Sequence, residues 1–560
     1  MAKKEIALDA NGKRKFGMRD NLAYMLGDVG CNMSFSLKGT VQTFWLVFMA
    51  LETGLLSALL LAVQVWDAIN DPLIGSLIDN DRRAYKHGKF KSYIFLGACG
   101  LLVGGAAVFL PFPNADLWLK CVLFILGYII WDAFYTIANV PYGSMMNLIT
   151  EDNAERASLS TWRSIGGMIG NVLPMVLLPA IIWNKVTWTG STSSFWDKIA
   201  PTLVDKKTGE LILQPEDFTH YPNIPSIFGD KAGLPYSVGD PSKGIPPDPV
   251  YNPLTGAQIE ILNGKNVFWA ALIMGVIGFI AFMFMLKMTT IRADENKVKT
   301  NETTKFNFFK SIGNFMKNRP AVGATVAAMG MFLGMQSAST ANTIMFATYF
   351  GKASLSGLVM VIGFVPMFVF MPFVKKLVTK YGKKEASAVG AVASMAGSTL
   401  MFVFPLIPNK TVGLVIYIVA LVIFGLGMGT YNCVSWALMA DAIDYNEWKF
   451  GSREEGTIYS LHSFFRKLAQ GVGPSIVLLV MGWLGYEAHK GTIGQSAQTA
   501  HNMCWLVAGL YALSAVLMLV GIAVIYNLSK KTTDQMQAEL AARHAGEQPS
   551  EAPVEAPVEA

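Results

Sequence analysis

Residues 55–78 read LLSALLLAVQVWDAINDPLIGSLI, an apolar run broken in its middle by Asp67, Asn70 and Asp71. At ~1.5 Å of rise per residue, such a run is long enough for a helix to cross a bilayer. A charged side chain near the bilayer centre costs roughly 2.5–3.5 kcal/mol on insertion scales. Gln64, Asp67 and Asp71 share one helix face, with Asn70 at its edge, and carboxylates one turn apart repel each other. The pattern therefore implies a positive partner between them. Oxygen ligands suit a hard cation such as Na⁺ or Li⁺, and a proton on one carboxyl is the other option. The plainer alternative is neutralisation by a neighbouring Lys.

The rest of the chain has the same character. It is 52% apolar, 12% aromatic and only 15% charged over 560 residues. Helix-length apolar stretches fall at roughly 20–50, 55–79, 92–112, 117–148, 158–183, 265–288, 320–350, 354–379, 386–407, 411–441, 456–486 and 501–527. The expected fold is an all-α polytopic membrane protein with twelve spans. Lys and Arg concentrate before the first span, in the links after spans two and eight, and in the central link. By the positive-inside rule both termini face the cytoplasm, which makes this a multi-pass protein of the cell (inner) membrane. The net charge of +6 is then a topology signal. No basic face with interleaved stacking aromatics points to nucleic acid. The five cysteines fall far apart in predicted spans and suggest no disulfide framework, and no cleavable signal peptide is visible.

Five regions follow. Residues 1–19 form an N-terminal segment and 20–288 a first six-helix bundle. An extracytoplasmic insertion at 184–264 carries ten of the 25 prolines, so irregular structure, a lid, is expected there. A central loop spans 289–319, a second bundle 320–528, and a disordered tail 529–560 ends in a Glu-Ala-Pro-Val repeat. The halves echo one another. Ser160, Arg163, Gly170 and Pro174 recur as Ser463, Arg466, Gly473 and Pro474, and the acidic–basic link after span four recurs after span ten.

Other intramembrane polar groups are candidates in turn. Asp132, Thr136, Asn139 and Gly143 share a face in span four. Asp28 and Asn32 lie one turn apart in span one, followed by Lys38, which can pair with Asp67 or Asp71 or face a cavity. Arg163, His462, Ser463, Arg466 and Lys467 add cationic and polar groups at depth, where a hydroxyl-rich or anionic ligand or an acidic partner would meet them. Trp131, Tyr431 and Trp436 can stack on a sugar ring, although packing explains them equally well.

Together these residues resemble the glycoside–pentoside–hexuronide:cation symporters of the major facilitator superfamily. The resemblance rests on Trp66-Asp67-Ala68-Ile69-Asn70-Asp71-Pro72 with Gly88-Lys89-Phe90-Lys91, and on Tyr135-Thr136 with Asn139-Val140-Pro141-Tyr142. Its third element is Ala440-Asp441-Ala442-Ile443-Asp444-Tyr445 with Arg453-Glu454-Glu455-Gly456. It implies a major facilitator fold of two pseudo-symmetric six-helix bundles that carries a sugar with Na⁺, Li⁺ or H⁺ and has no resident cofactor. Carried over position by position, Asp67, Asn70, Asp71 and Thr136 are the cation ligands. Asn32, Asn139, Arg163, His462, Ser463 and Lys467 line the sugar pocket, to which Lys38 is added on charge. Arg156, Asp441, Asp444 and Arg453 form the cytoplasmic gate. The melibiose branch has acids where this chain has Asn32 and Asn139, so the chain is more similar to the glucuronide and xyloside branch.

The expected partners are a small sugar and the bilayer, with the chain working as a monomer. Rival readings are a Na⁺-coupled lysophospholipid carrier of the same fold, a sugar sensor without transport, and a membrane glycosyltransferase. The last lacks an acidic cluster at a membrane-edge loop.

Overall fold

The computed structural model describes residues 13–81, 83, 85–86, 88–150, 152–187, 258–292, 308–451, 455–488, 491–492 and 495–544, with some side chains inside the helices left out. Its first helices are α1 (Met18–Phe35), α2 (Leu37–Thr43), α3 (Thr53–Asn80), α4 (Lys89–Ala107), α5 (Leu117–Ile149), α6 (Asn153–Ile182) and α7 (Gly264–Met288). Then come α8 (Phe308–Lys317), α9 (Arg319–Met345), α10 (Ser356–Tyr381), α11 (Lys383–Met401), α12 (Lys410–Phe450), α13 (Glu455–Trp483), α14 (Ala497–Leu519) and α15 (Lys530–His544). Each of the twelve expected spans falls on one of these helices or on a helical run. Among the described residues, nine helices are long and apolar enough to cross a membrane on their own. Shorter apolar helices lie at Thr53–Asp67 and Ala353–Gly363. Outward faces carry Val65, Val103, Trp118, Val389 and Val524, each more than half exposed, as lipid-facing positions must be.

Two compact units emerge from proximity along the fold. One holds residues 1–304, 338–361 and 471–507, and the other holds 305–337, 362–470 and 508–560. In the first unit, small residues let α1 and α6 approach closely. A Cβ at Gly166 would lie 2.2 Å from the Met25 carbonyl oxygen, and one at Gly170 would lie 2.7 Å from Asn32 Cβ. Without a hydrophobic drive between helices in lipid, such backbone proximity is what holds helix pairs together. In the second unit, α11 and α12 use the same device, with Gly427 against the Gly390 carbonyl.

Proline inside a helix is tolerated where neighbours satisfy the freed groups. Around Pro141 of α5, Tyr142 Oη donates to the Tyr24 carbonyl at 2.8 Å and Tyr24 Oη donates to the Tyr142 carbonyl at 3.4 Å. The two rings stack at 4.7 Å.

Three elements depart from the sequence reading. The base of the 184–264 insertion is regular. Strands β1 (Trp183–Thr187) and β2 (Gln258–Leu262) pair antiparallel, with Trp183 opposite Leu262. Alternating β-branched residues favour this pairing, and the residues between the strands lie outside the described set. Buried Glu260 on β2 accepts from the backbone N–H and the hydroxyl of Ser354, both at 2.7 Å. Within the central link, α8 forms because its large apolar residues recur at helical spacing. Its Phe315 is buried against Phe465 at 6.1 Å.

The tail assigned to disorder also begins with a helix, α15. Met536 and Leu540 are buried, and Glu539 accepts from Trp448 Nε1 at 2.7 Å. These tertiary contacts hold the start of a tail whose expected disorder rested on its terminal repeat. The repeat at 551–560 lies outside the described residues.

Candidate functional site

In the first unit, three helices bring charge together within the spans. Asp67 and Asn70 stand on α3, Asp132 and Thr136 on α5, and Lys38 on α2. Asn70 Nδ2 donates to Asp132 Oδ2 and to Thr136 Oγ1, both at 3.2 Å, and all three side chains are buried. Asp132 lies within electrostatic reach of Asp67. Lys38 Nζ stands 4.0 Å from Asp67 Oδ2, and each of these two side chains keeps 21% of its surface exposed. Tyr128 is a near neighbour of Lys38 and Gln64. Trp131 packs edge-on against Tyr128 at 5.3 Å and donates to Ser34 Oγ at 2.7 Å, which fixes this wall of the site.

Of the expected cation ligands, the structure brings together Asp67, Asn70 and Thr136. The Asp71 side chain lies outside the described residues. The sequence left the role of Asp132 open, and here it supplies the second carboxylate. Lys38, entered among the sugar-binding residues on charge, stands in the carboxylate cluster. Among the described residues no group of three or more His, Cys, Asp or Glu converges to hold a metal ion. The oxygens gathered here belong to two carboxylates, an amide and a hydroxyl, donor types that suit a hard cation.

A second cluster lies on α1 and α6. Arg163 Nε donates to Asp28 Oδ1 at 3.2 Å, and the guanidinium covers the Tyr142 ring at 5.2 Å. Asn32 Nδ2 donates to Asp28 Oδ2 at 3.0 Å, and Asn171 Nδ2 donates to Asn32 Oδ1 at 2.8 Å. Gly167 makes room for this, since a Cβ there would lie 2.5 Å from Asp28 Oδ2. Arg163 and Asn32 were expected in the sugar pocket, and their link through Asp28 was not foreseen. Asn139 is half-buried on α5.

In the second unit, His462 is buried and its Nδ1 shares a 2.9 Å hydrogen bond with Thr325 Oγ1. Ser463 is half-buried, Lys467 is exposed, and Arg466 lies over the Phe332 ring at 5.2 Å. Of the expected gate residues, Asp441 pairs with Lys383 at 2.6 Å in this unit and Asp444 is half-buried. Arg453 lies outside the described residues. In the first unit, Arg156 Nε donates to the Thr150 carbonyl at 3.0 Å.

Sequence reasoning missed buried Asp20, which accepts from Arg14 and from Arg292 at 3.1 Å. Arg292 reaches on to the Ile149 carbonyl at 2.9 Å, so this network ties α1 and α5 to the start of the central link. Asp81, just beyond α3, accepts from the hydroxyls of Tyr85 and Tyr93 and from the Arg83 backbone N–H. The Tyr85 hydroxyl, then that of Tyr93, then the Arg83 amide hold its carboxyl down at about 2.

A family model described as "MFS/sugar transport protein" matches residues 23–200 and 249–530. "Uncharacterized symporter YjmB" of Bacillus subtilis (strain 168) is 26% identical over 96% of this chain and 97% of its own length. The isoprimeverose transporter of Lactiplantibacillus pentosus is 24% identical, covering 94% and 92%. The glucuronide carrier protein homolog of Escherichia coli (strain K12) is also 24% identical, covering 85% and 86%. Among solved structures, a D-xylose–proton symporter superposes with a TM-score of 0.52 at 14% identity, covering 89% of this chain and 96% of that one. At that identity the likeness speaks to fold alone.

Proposed function

The chain belongs to the MFS/sugar transport protein family, and from that premise we propose that it carries a glycoside, pentoside or hexuronide into the cell by symport with Na⁺, Li⁺ or H⁺. Membership makes it a multi-pass transporter with the major facilitator fold, not an enzyme. The relatives named for isoprimeverose and glucuronide support a glycoside or a hexuronide as cargo. Placement in the cell membrane with both termini cytoplasmic rests on the basic links.

The observation that carries the coupling is the gathering of Asp67 and Asp132 within the spans, with Asn70 joining Asp132 to Thr136. Two interacting carboxyls at that depth need positive charge, and the nearest ammonium is only loosely held. In this reading a cation binds at Asp67 with Asn70, Asp71, Thr136 and Asp132 around it. Asn32, Asn139, Arg163, His462, Ser463 and Lys467 are the residues that bind the sugar in this reading. Arg156, Asp441, Asp444 and Arg453 close the cytoplasmic path. Each ligand raises the other's affinity by one shared factor, typically about 1–3 kcal/mol, and the bundles alternate access around the loaded site. The cargo ion needs no cofactor.

The test is uptake by proteoliposomes of the full chain under imposed Na⁺, Li⁺ or H⁺ gradients, with isoprimeverose, xylosides, glucuronides and galactosides as labelled probes. Accumulation against a sugar gradient, driven by one cation, is the expected result. Equilibration without accumulation under every gradient contradicts symport. Preferential movement of lysophospholipid would establish the lipid-carrier reading instead.

A further inference from the structure

We infer that Lys38 acts as a tethered internal cation that competes with the coupling ion for Asp67 and thereby sets the ion affinity of the carrier. The inference rests on the cation-coupled reading and concerns a residue outside the expected ligand set.

Its basis is where the ammonium stands. Lys38 projects from the seven-residue helix α2, Leu37–Thr43. That helix is fixed by buried Leu37 and Val41 and by Gln42, whose Oε1 accepts from Thr340 Oγ1 at 2.6 Å. The ammonium covers the Phe35 ring at 4.9 Å and lies near Tyr128. It reaches Asp67 Oδ2 at 4.0 Å, well beyond the ~2.7–2.9 Å of a closed charge-assisted hydrogen bond.

The neighbouring ion pair of the same unit shows what closure looks like, with Arg163 Nε at 3.2 Å from Asp28. Lys38 is thus near enough to neutralise Asp67 and too far to be locked to it. Both side chains keep 21% of their surface exposed, so neither is sealed from solvent. A lysine fits this role because its ammonium is a compact point charge on a flexible stem, and no planar fork fixes its geometry. With Asn70 already donating to Asp132 and Thr136, Asp67 is the carboxylate whose partner can change.

The consequence is quantitative. When a tethered group fills a site in a large fraction of molecules, a diffusing ligand's apparent dissociation constant rises by the inverse of the free fraction. An ammonium seated on Asp67 about nine-tenths of the time would weaken the ion's apparent affinity roughly tenfold. Displacing Lys38 also frees a charged group beside Tyr128 when the ion binds, which gives the loaded state a charge distribution that the empty state lacks.

The experiment uses the purified full chain in detergent. Its thermal midpoint is titrated with NaCl and with LiCl at ionic strength held constant with choline chloride, because a ligand that binds the folded state raises the midpoint. Lys38→Met should lower the half-maximal NaCl concentration roughly tenfold, while Lys38→Arg, which keeps a tethered cation whose fork can close on the carboxylate, should leave it at or above the parent's value. Lys38→Gln serves if the Met variant fails to fold. An unchanged half-maximal concentration in the neutral variant overturns the inference. So does loss of the response to both salts, or the failure of both neutral variants to fold while Lys38→Arg folds, since Lys38 is then structural. Asp67→Asn reports separately on the cation site. If it abolishes the salt response while Lys38→Met changes nothing, the symport reading stands and only the competition fails. If Asp67→Asn keeps the response, the cation assignment itself is lost.

Discussion

Two ion pairs lie in the same compact unit and are built differently. Arg163 and Asp28 are in direct contact at 3.2 Å. Asn32 shares the same carboxylate, and an aromatic face lies beneath the guanidinium. Lys38 and Asp67 are separated by 4.0 Å, and Asp67 also faces the Asp132 carboxyl. A closed, fully hydrogen-bonded pair holds its geometry and resists exchange. An open one with a second carboxylate beside it leaves a position for a mobile cation. The contrast separates a fixed pair among the residues assigned to the sugar from an exchangeable one among those assigned to the cation more sharply than the mere presence of charge in a span does.

Asp67→Asn cuts deepest into that contrast. It should reduce gradient-driven sugar accumulation by about two orders of magnitude or more, since coupling is worth typically 1–3 kcal/mol and the ion's own binding is lost as well. Proteoliposome uptake checks this, and counterflow that persists in the variant would show that sugar binding survives.

Asp28→Asn leaves the Arg163 guanidinium without its acid. A fully buried pair broken this way costs roughly 3–5 kcal/mol. Arg163 keeps 38% exposure, so water screens the loss and about 1–2 kcal/mol is expected. A lowered thermal midpoint with cation dependence intact is the predicted signature. Loss of cation dependence would put Asp28 in the coupling machinery and erase the distinction.

Gly166→Ala probes the scaffold from the other side. Its Cβ would lie 2.2 Å from the Met25 carbonyl oxygen, which forces α1 away from α6. The expected destabilisation is about 1–3 kcal/mol, read as a lower midpoint with an unchanged half-maximal NaCl concentration.

The smallest effect belongs to Asp81, a carboxylate outside the spans held chiefly by hydroxyls. Because its folded pKa of about 2 lies below the ordinary 3.8, its contribution is fully present above 3.8 and is lost as pH falls toward 2. Hydrogen exchange over residues 81–93, corrected for intrinsic rate, should stay protected at pH 5 and loosen only below about 4. A Tyr85→Phe, Tyr93→Phe double variant should loosen at higher pH than the parent.

How far the sequence could be read depends on which contacts are local. The run at 55–78 announces its own anomaly, because acids in an apolar helix need no partner to be noticed. The apolar spans followed from length and hydropathy in the same way. Pairings across the fold were out of reach. Asp28 and Arg163 are 135 positions apart, and the link runs through glycines whose role appears only when α1 and α6 are packed. Lys38 was conspicuous, and Asp67, one of the two acids that the sequence offered it, is the one it stands near. Helices α8 and α15 and the β1–β2 ribbon escaped because each is short and half polar, so composition outweighed periodicity in the reading.

The most direct test of the central claim compares sugar affinity in NaCl and in choline chloride, by fluorescence or calorimetry with isoprimeverose and a glucuronide, for the parent chain and Asp67→Asn. A parent whose affinity rises about fivefold or more with NaCl, and a variant whose affinity is the same in both salts, is the predicted result. A parent indifferent to the cation, or an Asp67→Asn chain that still responds to it, contradicts a coupling site built on Asp67.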